Sequence, residues 1–286
     1  MTRVTNGAMA VRSPLFTPAN HARRVEKALA GAADGVILDL EDAVATAEKG
    51  AARHGAASVL AGIRPKPVFV RVNALGTPFC YDDLLAVAPG APDAIVLPKA
   101  ESLSDIRTVD WLLHQLEARH GLPPGGIALL PILETAEGIA HAREIAGGPR
   151  VGRLMFGAVD LALDMDLVLD EDAMAGPRFA IALASRQAGL VGPLDTAFVD
   201  VAAPGRLRET TLRARALGFT GKACIHPAQV EVVQAVFTPT AAALDRARRV
   251  VAAFEAAERE GSAAMMLDGA MIDVPVVLQA RRLLGV

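Results

Sequence analysis

Eight apolar runs recur along this 286-residue chain, at 13–19, 35–42, 67–74, 94–101, 127–134, 153–160, 196–202 and 221–227, with helix-length segments between most neighbours. The runs are continuously apolar rather than alternating. That pattern marks strands covered on both faces, and parallel neighbours need a crossover of about helix length. Eight strand–helix units is the count of a closed (β/α)8 TIM barrel; an open doubly wound sheet is the alternative. With aromatic residues at 4%, Ala, Val and Leu must fill the core.

Between the runs lie helix signals. Asn20 is placed to cap HARRVEKALAGA, and Ser102 or Ser104 to cap DIRTVDWLLHQLEARHG, which stops at Gly121. Trp111, Leu112 and Leu116 are expected to face the barrel. After FTPT the barrel is complete, so the reading is a catalytic domain over 1–238 and a small C-terminal extension over 239–286. At the boundary Thr238 and Pro239 suit a helix start, and within the extension Asp268-Gly269 suits a hairpin turn and Pro275 opens a last helix.

Composition excludes several partners. Formal charge is −3 with Lys and Arg spread along the chain, which offers no footprint for nucleic acid or an anionic membrane. Cys80 and Cys224 form no CxxC motif, so neither a disulfide framework nor a thiolate metal site is expected, and a cytoplasmic setting is natural. The N-terminal stretch MTRVTNGAMAVRSPLF has no apolar leader core, and no run approaches the roughly eighteen apolar residues of a membrane span. Small-molecule chemistry remains.

Three of the runs end in carboxylates: VILDLED at Glu41 and Asp42, IALLPILE at Glu134, and GRLMFGAVD at Asp160. An ionised carboxylate at the edge of a dry core costs several kcal/mol unless a cation or donors compensate it. Glu134 and Asp160, on consecutive strand ends, are therefore read as ligands of one hard cation, Mg2+ rather than zinc. The bland alternative makes each a helix N-cap. Arg71, in FVRVN, can hold a substrate carboxylate in its rigid fork, or pair with Glu41 or Asp42 on the adjacent strand. Lys99 with Glu101, His226, Asp195 and Asp200 are equally compatible with structural roles. Ser13 lacks a GxSxG elbow, and no GxGxxG or P-loop occurs.

Taken together, RSPLFTPAN, VILDLEDAV, VRVNALGT, VLPKAES, PILETAEGI, FGAVDLALD, GFTGKACIHPAQ and GAMIDVP resemble the citrate lyase β-subunit-like branch of the HpcH/HpaI aldolase family, over almost the whole chain. The resemblance implies an Mg2+-dependent barrel acting on acyl-CoA thioesters and assembling as trimers or hexamers. It implies Glu134 and Asp160 as metal ligands and Arg71 as the group binding the substrate carboxylate or thioester oxygen. Glu41 and Asp42 become supporting residues. It adds Asp273 of the extension as an acid/base reaching a neighbouring subunit's site, and Phe16, Arg23 and Lys27 as groups that meet coenzyme A. Two positions depart from the pattern: Val159 stands where relatives commonly carry Glu, and Asp166 where Gly is usual. Relatives also often carry another Asp just after the seventh strand, where this chain reads VDVAAPG.

The expected activity is cleavage of a 3-hydroxyacyl-CoA of the citryl-, malyl- or citramalyl-CoA type to acetyl-CoA and a 2-oxoacid. One rival is a class II-type aldolase acting on free 4-hydroxy-2-oxoacids, which needs the same metal and Arg71 but no coenzyme A groove. The other is a catalytically silent binding or assembly subunit.

Overall fold

A computed structural model describes residues 7–285; residues 1–6, the start of the stretch read for a leader, and residue 286 lie outside the described residues. Eight strands run in chain order around one sheet: β1 (Pro14–Pro18), β2 (Gly35–Asp39), β3 (Val68–Arg71), β4 (Ala94–Leu97), β5 (Ala128–Leu133), β6 (Met155–Phe156), β7 (Leu194–Asp195) and β8 (Gly221–Lys222). All neighbouring pairs are parallel. The sheet closes where Leu15 bridges Cys224 and Phe16 N donates to Cys224 O at 2.8 Å. The fold is the expected (β/α)8 barrel, not the open sheet.

Every residue of β2, β4 and β5 is buried. Alternate side chains divide the labour, as a pleat requires. Ile37, Phe69, Val96, Leu130 and Met155 join one cluster filling the barrel, whereas Leu38, Val70, Ile95 and Leu97 join the helices in another. At the N-terminal rim the wholly buried Arg153 donates to Met9 O, Val11 O, Gly192 O and Thr220 Oγ1 at 2.8, 2.5, 2.7 and 2.8 Å. It thus ties the segment before β1 to those before β7 and β8.

Several local expectations are corrected. The run 153–160 is strand only over Met155–Phe156, and a helix starts at Ala158. The run 196–202 is not a strand; β7 precedes it, with Asp195 buried on the helix-facing side of the sheet between cationic partners. Asn20 caps nothing, because the helix Ala22–Ala30 starts after His21 without a side-chain cap. Ser102 does cap the helix Leu103–His120, in a capping box with Asp105, and Gly121 ends it at φ 65°. On that helix Ile106, Val109, Leu113 and Leu116 face inward, so Trp111 falls on the outer face and is 64% exposed.

The chain divides into two compact units, up to Phe237 and from Thr238. The second contains a helix (Ala241–Arg259) capped by Thr240 rather than Thr238, the antiparallel strands β9 (Ala264–Leu267) and β10 (Ala270–Asp273), and a helix (Val274–Leu284). Asp268 and Gly269 turn the hairpin with φ 50° and 76°. Val250, Phe254, Ile272 and Val277 supply this unit's own core.

Candidate active site at the barrel mouth

Glu134 leaves the C-terminal end of β5 and is only 3% exposed. Its Oε1 accepts from Lys99 N at 2.8 Å. It is not an N-cap: Thr135 caps the following helix, accepting from Gly138 N at 3.1 Å. Facing it is Gly157, where a Cβ would lie 2.3 Å from Glu134 Oε2 and 2.6 Å from its Cβ. Only a glycine leaves the carboxylate its place. Asp160, expected at a strand end, instead sits in the first turn of the helix Ala158–Asp164, its side chain about one-third exposed at 32%. Burial, then the charge of Asp160, pushes the Glu134 carboxyl up to about 8. Two carboxylates that repel one another at the edge of a dry core are unfavourable unless a cation offsets them.

Both line a cavity of about 450 Å3 that Phe16, Asp39, Asp42 and Arg71 also line. Arg71 ends β3 level with Asp39 of β2 in the parallel register. Its Nε and Nη2 donate to Asp39 Oδ1 and Oδ2, each at 2.7 Å. Nη1 lies 3.0 Å from Glu41 and 3.2 Å from Asp42, and the guanidinium stacks 4.8 Å from the Phe16 ring centroid. Burial opposes its charge, but Asp39, Glu41 and Asp42 together hold its pKa above the ordinary value. The sequence reading paired Arg71 with Glu41 or Asp42 and missed Asp39. The missing signal was register, since Asp39 is the last in-strand residue of β2 and stands beside Arg71.

Glu41 is buried, and burial raises its pKa against the pull of Arg71. Its Oε2 meets Arg71 as an ion pair without hydrogen-bond geometry. Lys99 Nζ lies 3.4 Å from both Glu41 Oε1 and Asp160 Oδ1, and the residue holds φ 49°, a conformation that side chains other than glycine seldom adopt. Lys49 Nζ donates to Leu40 O and Glu41 O at 2.7 Å each, fixing the turn after β2.

The other candidates disperse. Arg23 and Lys27 are exposed on the helix Ala22–Ala30 and do not line the cavity, although their neighbour Arg24 does. Asp273 accepts from Val276 N at 3.3 Å as the N-cap of the last helix, within the second unit. His226 Nδ1 accepts from Ala228 N at 3.2 Å, and Glu101 is exposed with its N–H donated to Asp105. Asp195 is locked between Arg178 and Lys222 at 2.8 and 2.5 Å. Asp200 is exposed in a turn, accepting from Ala202 N at 3.0 Å. Among the described residues, no three His, Cys, Asp or Glu side chains form a group that could hold a metal ion. The Glu134–Asp160 pair suits an ion that takes its remaining oxygens from water and substrate, as Mg2+ does.

Residues 12–227 match the model of the HpcH/HpaI aldolase/citrate lyase family. A citrate lyase subunit beta-like protein from Deinococcus radiodurans is 39% identical over 283 residues, covering 96% of each chain. A (3S)-malyl-CoA thioesterase from Cereibacter sphaeroides is 37% identical over 280 residues, covering 96% of this chain and 93% of that one. Among solved structures, the protein CitE from Mycobacterium tuberculosis in complex with magnesium, acetoacetate and coenzyme A superposes with a TM-score of 0.80 at 34% identity, over 97% of this chain and 98% of the other.

Proposed function

This chain belongs to the HpcH/HpaI aldolase/citrate lyase family, and we propose that it is an Mg2+-dependent carbon–carbon lyase that cleaves a 3-hydroxyacyl-CoA to acetyl-CoA and a 2-oxoacid. The observation that carries the reading is the juxtaposition of Glu134, Asp160 and Arg71 on one cavity. A relative solved with magnesium, an oxoacid and coenzyme A together supports it.

When bound between Glu134 and Asp160, Mg2+ supplies a Lewis acid for the oxygens of the oxoacid half. The chain's own groups supply position and charge. Lys99 N fixes one oxygen of Glu134, and Gly157 makes room for the other. Asp39 clamps two nitrogens of Arg71, so the guanidinium is oriented before substrate arrives and loses little freedom on binding it. Charge building on the thioester enolate then meets a preorganised cation. Phe16 backs that cation, while Asp39 first, then Glu41 and Asp42, favour its charged form.

The reading extends to assembly. The chain works in the cytoplasm as a homotrimer or hexamer, and the extension over 239–286 makes contacts between subunits. Asp273 from a neighbouring protomer serves as acid/base, and Arg23 and Lys27 meet the phosphates of coenzyme A together with Arg24. A relative named (3S)-malyl-CoA thioesterase favours a second step, hydrolysis of the thioester after or instead of carbon–carbon cleavage.

The test is incubation of the purified protein with citryl-, malyl- and citramalyl-CoA, with and without a chelator. Acetyl-CoA and the matching oxoacid should appear only with Mg2+. Absence of Mg2+-dependent cleavage of all three defeats the lyase reading in favour of a silent subunit, and turnover of free oxoacid aldols instead would favour the aldolase.

A further inference from the structure

We propose that the oxoacid half of the substrate carries a hydrocarbon substituent where a citryl group carries a second carboxylate; this rests on the lyase reading above. The substrate class is then a 3-carboxy-3-hydroxyalkanoyl-CoA, and the product a 2-oxoacid with an alkyl side chain.

The charge in the cavity is sorted by sector. Its lining cations, Arg24 and Arg71, come from the units of β1 and β3, and Arg71 is already clamped by Asp39. The metal-ligand pair comes from β5 and β6. From Asp160 onward round to β8 the lining is Val159, Thr196, Ala197, Val199 and Ile225. In a closed ring of eight strands β7 faces β3, so this wall stands across from Arg71. Val159, Val199 and Ile225 are 47, 60 and 42% exposed, so their side chains are available to a ligand rather than consumed by the core. Among the described residues, no lysine or arginine lines the cavity on this side.

A substrate whose carboxylate and hydroxyl lie at the Glu134–Asp160 pair, with its thioester arm toward Arg71, must turn its remaining substituent to this wall. A carboxylate there would shed water without gaining a cation, whereas a methyl or ethyl group would be buried against Val159 and Val199. A smaller cavity of about 180 Å3 shares Val159, Thr196, Ala197 and Val199 with the first. Its buried cations are spent, because Arg178 and Lys222 pair with Asp195; Arg206 borders it from the exposed edge and does not line the main cavity. Room beyond the wall thus favours a longer chain more than an added charge.

The step needs no oxidant. The bond between the hydroxyl-bearing carbon and the carbon next to the thioester breaks. The hydroxyl proton leaves to a base as its oxygen becomes the ketone. The electron pair goes to the thioester enolate, which takes up a proton to give acetyl-CoA.

The experiment measures kcat/KM for citramalyl-, malyl- and citryl-CoA with Mg2+, alongside calorimetric binding of 2-oxobutyrate and oxaloacetate to the Mg2+-loaded protein with coenzyme A. The expected order is citramalyl above malyl above citryl, with the methyl group worth roughly 10-fold or more, and 2-oxobutyrate binding more tightly than oxaloacetate. Val159→Arg should narrow or reverse that preference; circular dichroism and Mg2+ affinity would show the variant folded. Citryl-CoA turned over as well as citramalyl-CoA would overturn the substituent inference and leave the lyase reading standing. If no thioester is cleaved, the lyase reading falls, and equal or tighter binding of oxaloacetate would still count against the apolar wall.

Discussion

Arg71 and Asp39 form a two-pronged pair across neighbouring strands, with both contacts at 2.7 Å and Asp39 only 1% exposed. Arg71 therefore meets a ligand as part of a rigid unit built into the sheet. Asp39 also accepts from Glu41 N and Ala43 N at 3.0 and 3.2 Å, so the same carboxylate sets the turn that carries Glu41 and Asp42.

Asp39→Asn should accordingly damage stability and activity together. Removing the Asp39 charge leaves the buried guanidinium with only Glu41 and Asp42 beside Nη1, at a cost of up to about 3–5 kcal/mol, and misorients Arg71, for a loss of at least ~100-fold in kcat/KM. Urea denaturation and turnover check the two parts separately. A variant with unchanged stability would show that Arg71 finds its support elsewhere.

Glu134 predicts a pH dependence with a definite sign. Its folded pKa, about 8, lies above the ordinary 4.5, so the metal-free native state holds a proton that the unfolded state has lost. Stability of the metal-free protein should fall as pH rises from about 4.5 to about 8, while Mg2+ affinity rises over the same window because the metal needs the ionised form. Glu134→Gln should remove its share of the stability slope and most of the affinity, as read by thermal melts and calorimetry with Mg2+ alone.

Gly157→Ala tests the room beside Glu134. The added methyl falls 2.3 Å from Oε2 and 2.6 Å from Cβ, so the Glu134 side chain must move as a whole. We expect a strain cost of about 1–3 kcal/mol and weakened Mg2+ binding. Wild-type affinity for Mg2+ would exclude Glu134 as a ligand.

Asp273→Asn separates the two roles proposed for that residue. Asparagine caps a helix as well as aspartate does, so melting temperature should barely change. It cannot serve as an acid/base, so kcat should fall ~100-fold or more with Mg2+ affinity retained. Full turnover would leave Asp273 as a cap only.

The barrel was legible because its longer strands are continuous apolar runs rather than alternating ones, with charge only at their ends, a pattern that survives without knowing any contact. Where strands shrink to two residues, as in β6 and β7, the helix start or a buried ion pair breaks the run and the reading slips: Asp160 moved from strand to helix, and residues 196–202 from strand to loop. Glu134, Asp160 and Arg71 stood out as charges interrupting apolar sequence, and the structure brings all three to one cavity. Asp39 did not stand out, because three carboxylates crowd LDLED and only strand register picks the one beside Arg71. Gly157 was invisible for another reason, since its importance lies in the atom it lacks.

The barrel seam joins Phe16 to Cys224, 208 residues apart. On the ribosome, at roughly 5–20 residues per second, β1 must wait roughly 10–40 s for the strand that seals it. Throughout that interval its outer edge is an open template for another nascent chain. Pro14 and Pro18 stand at its two ends, where neither offers an N–H. The prolines leave a short stretch of donors for the late-arriving β8 and little for a stranger to extend.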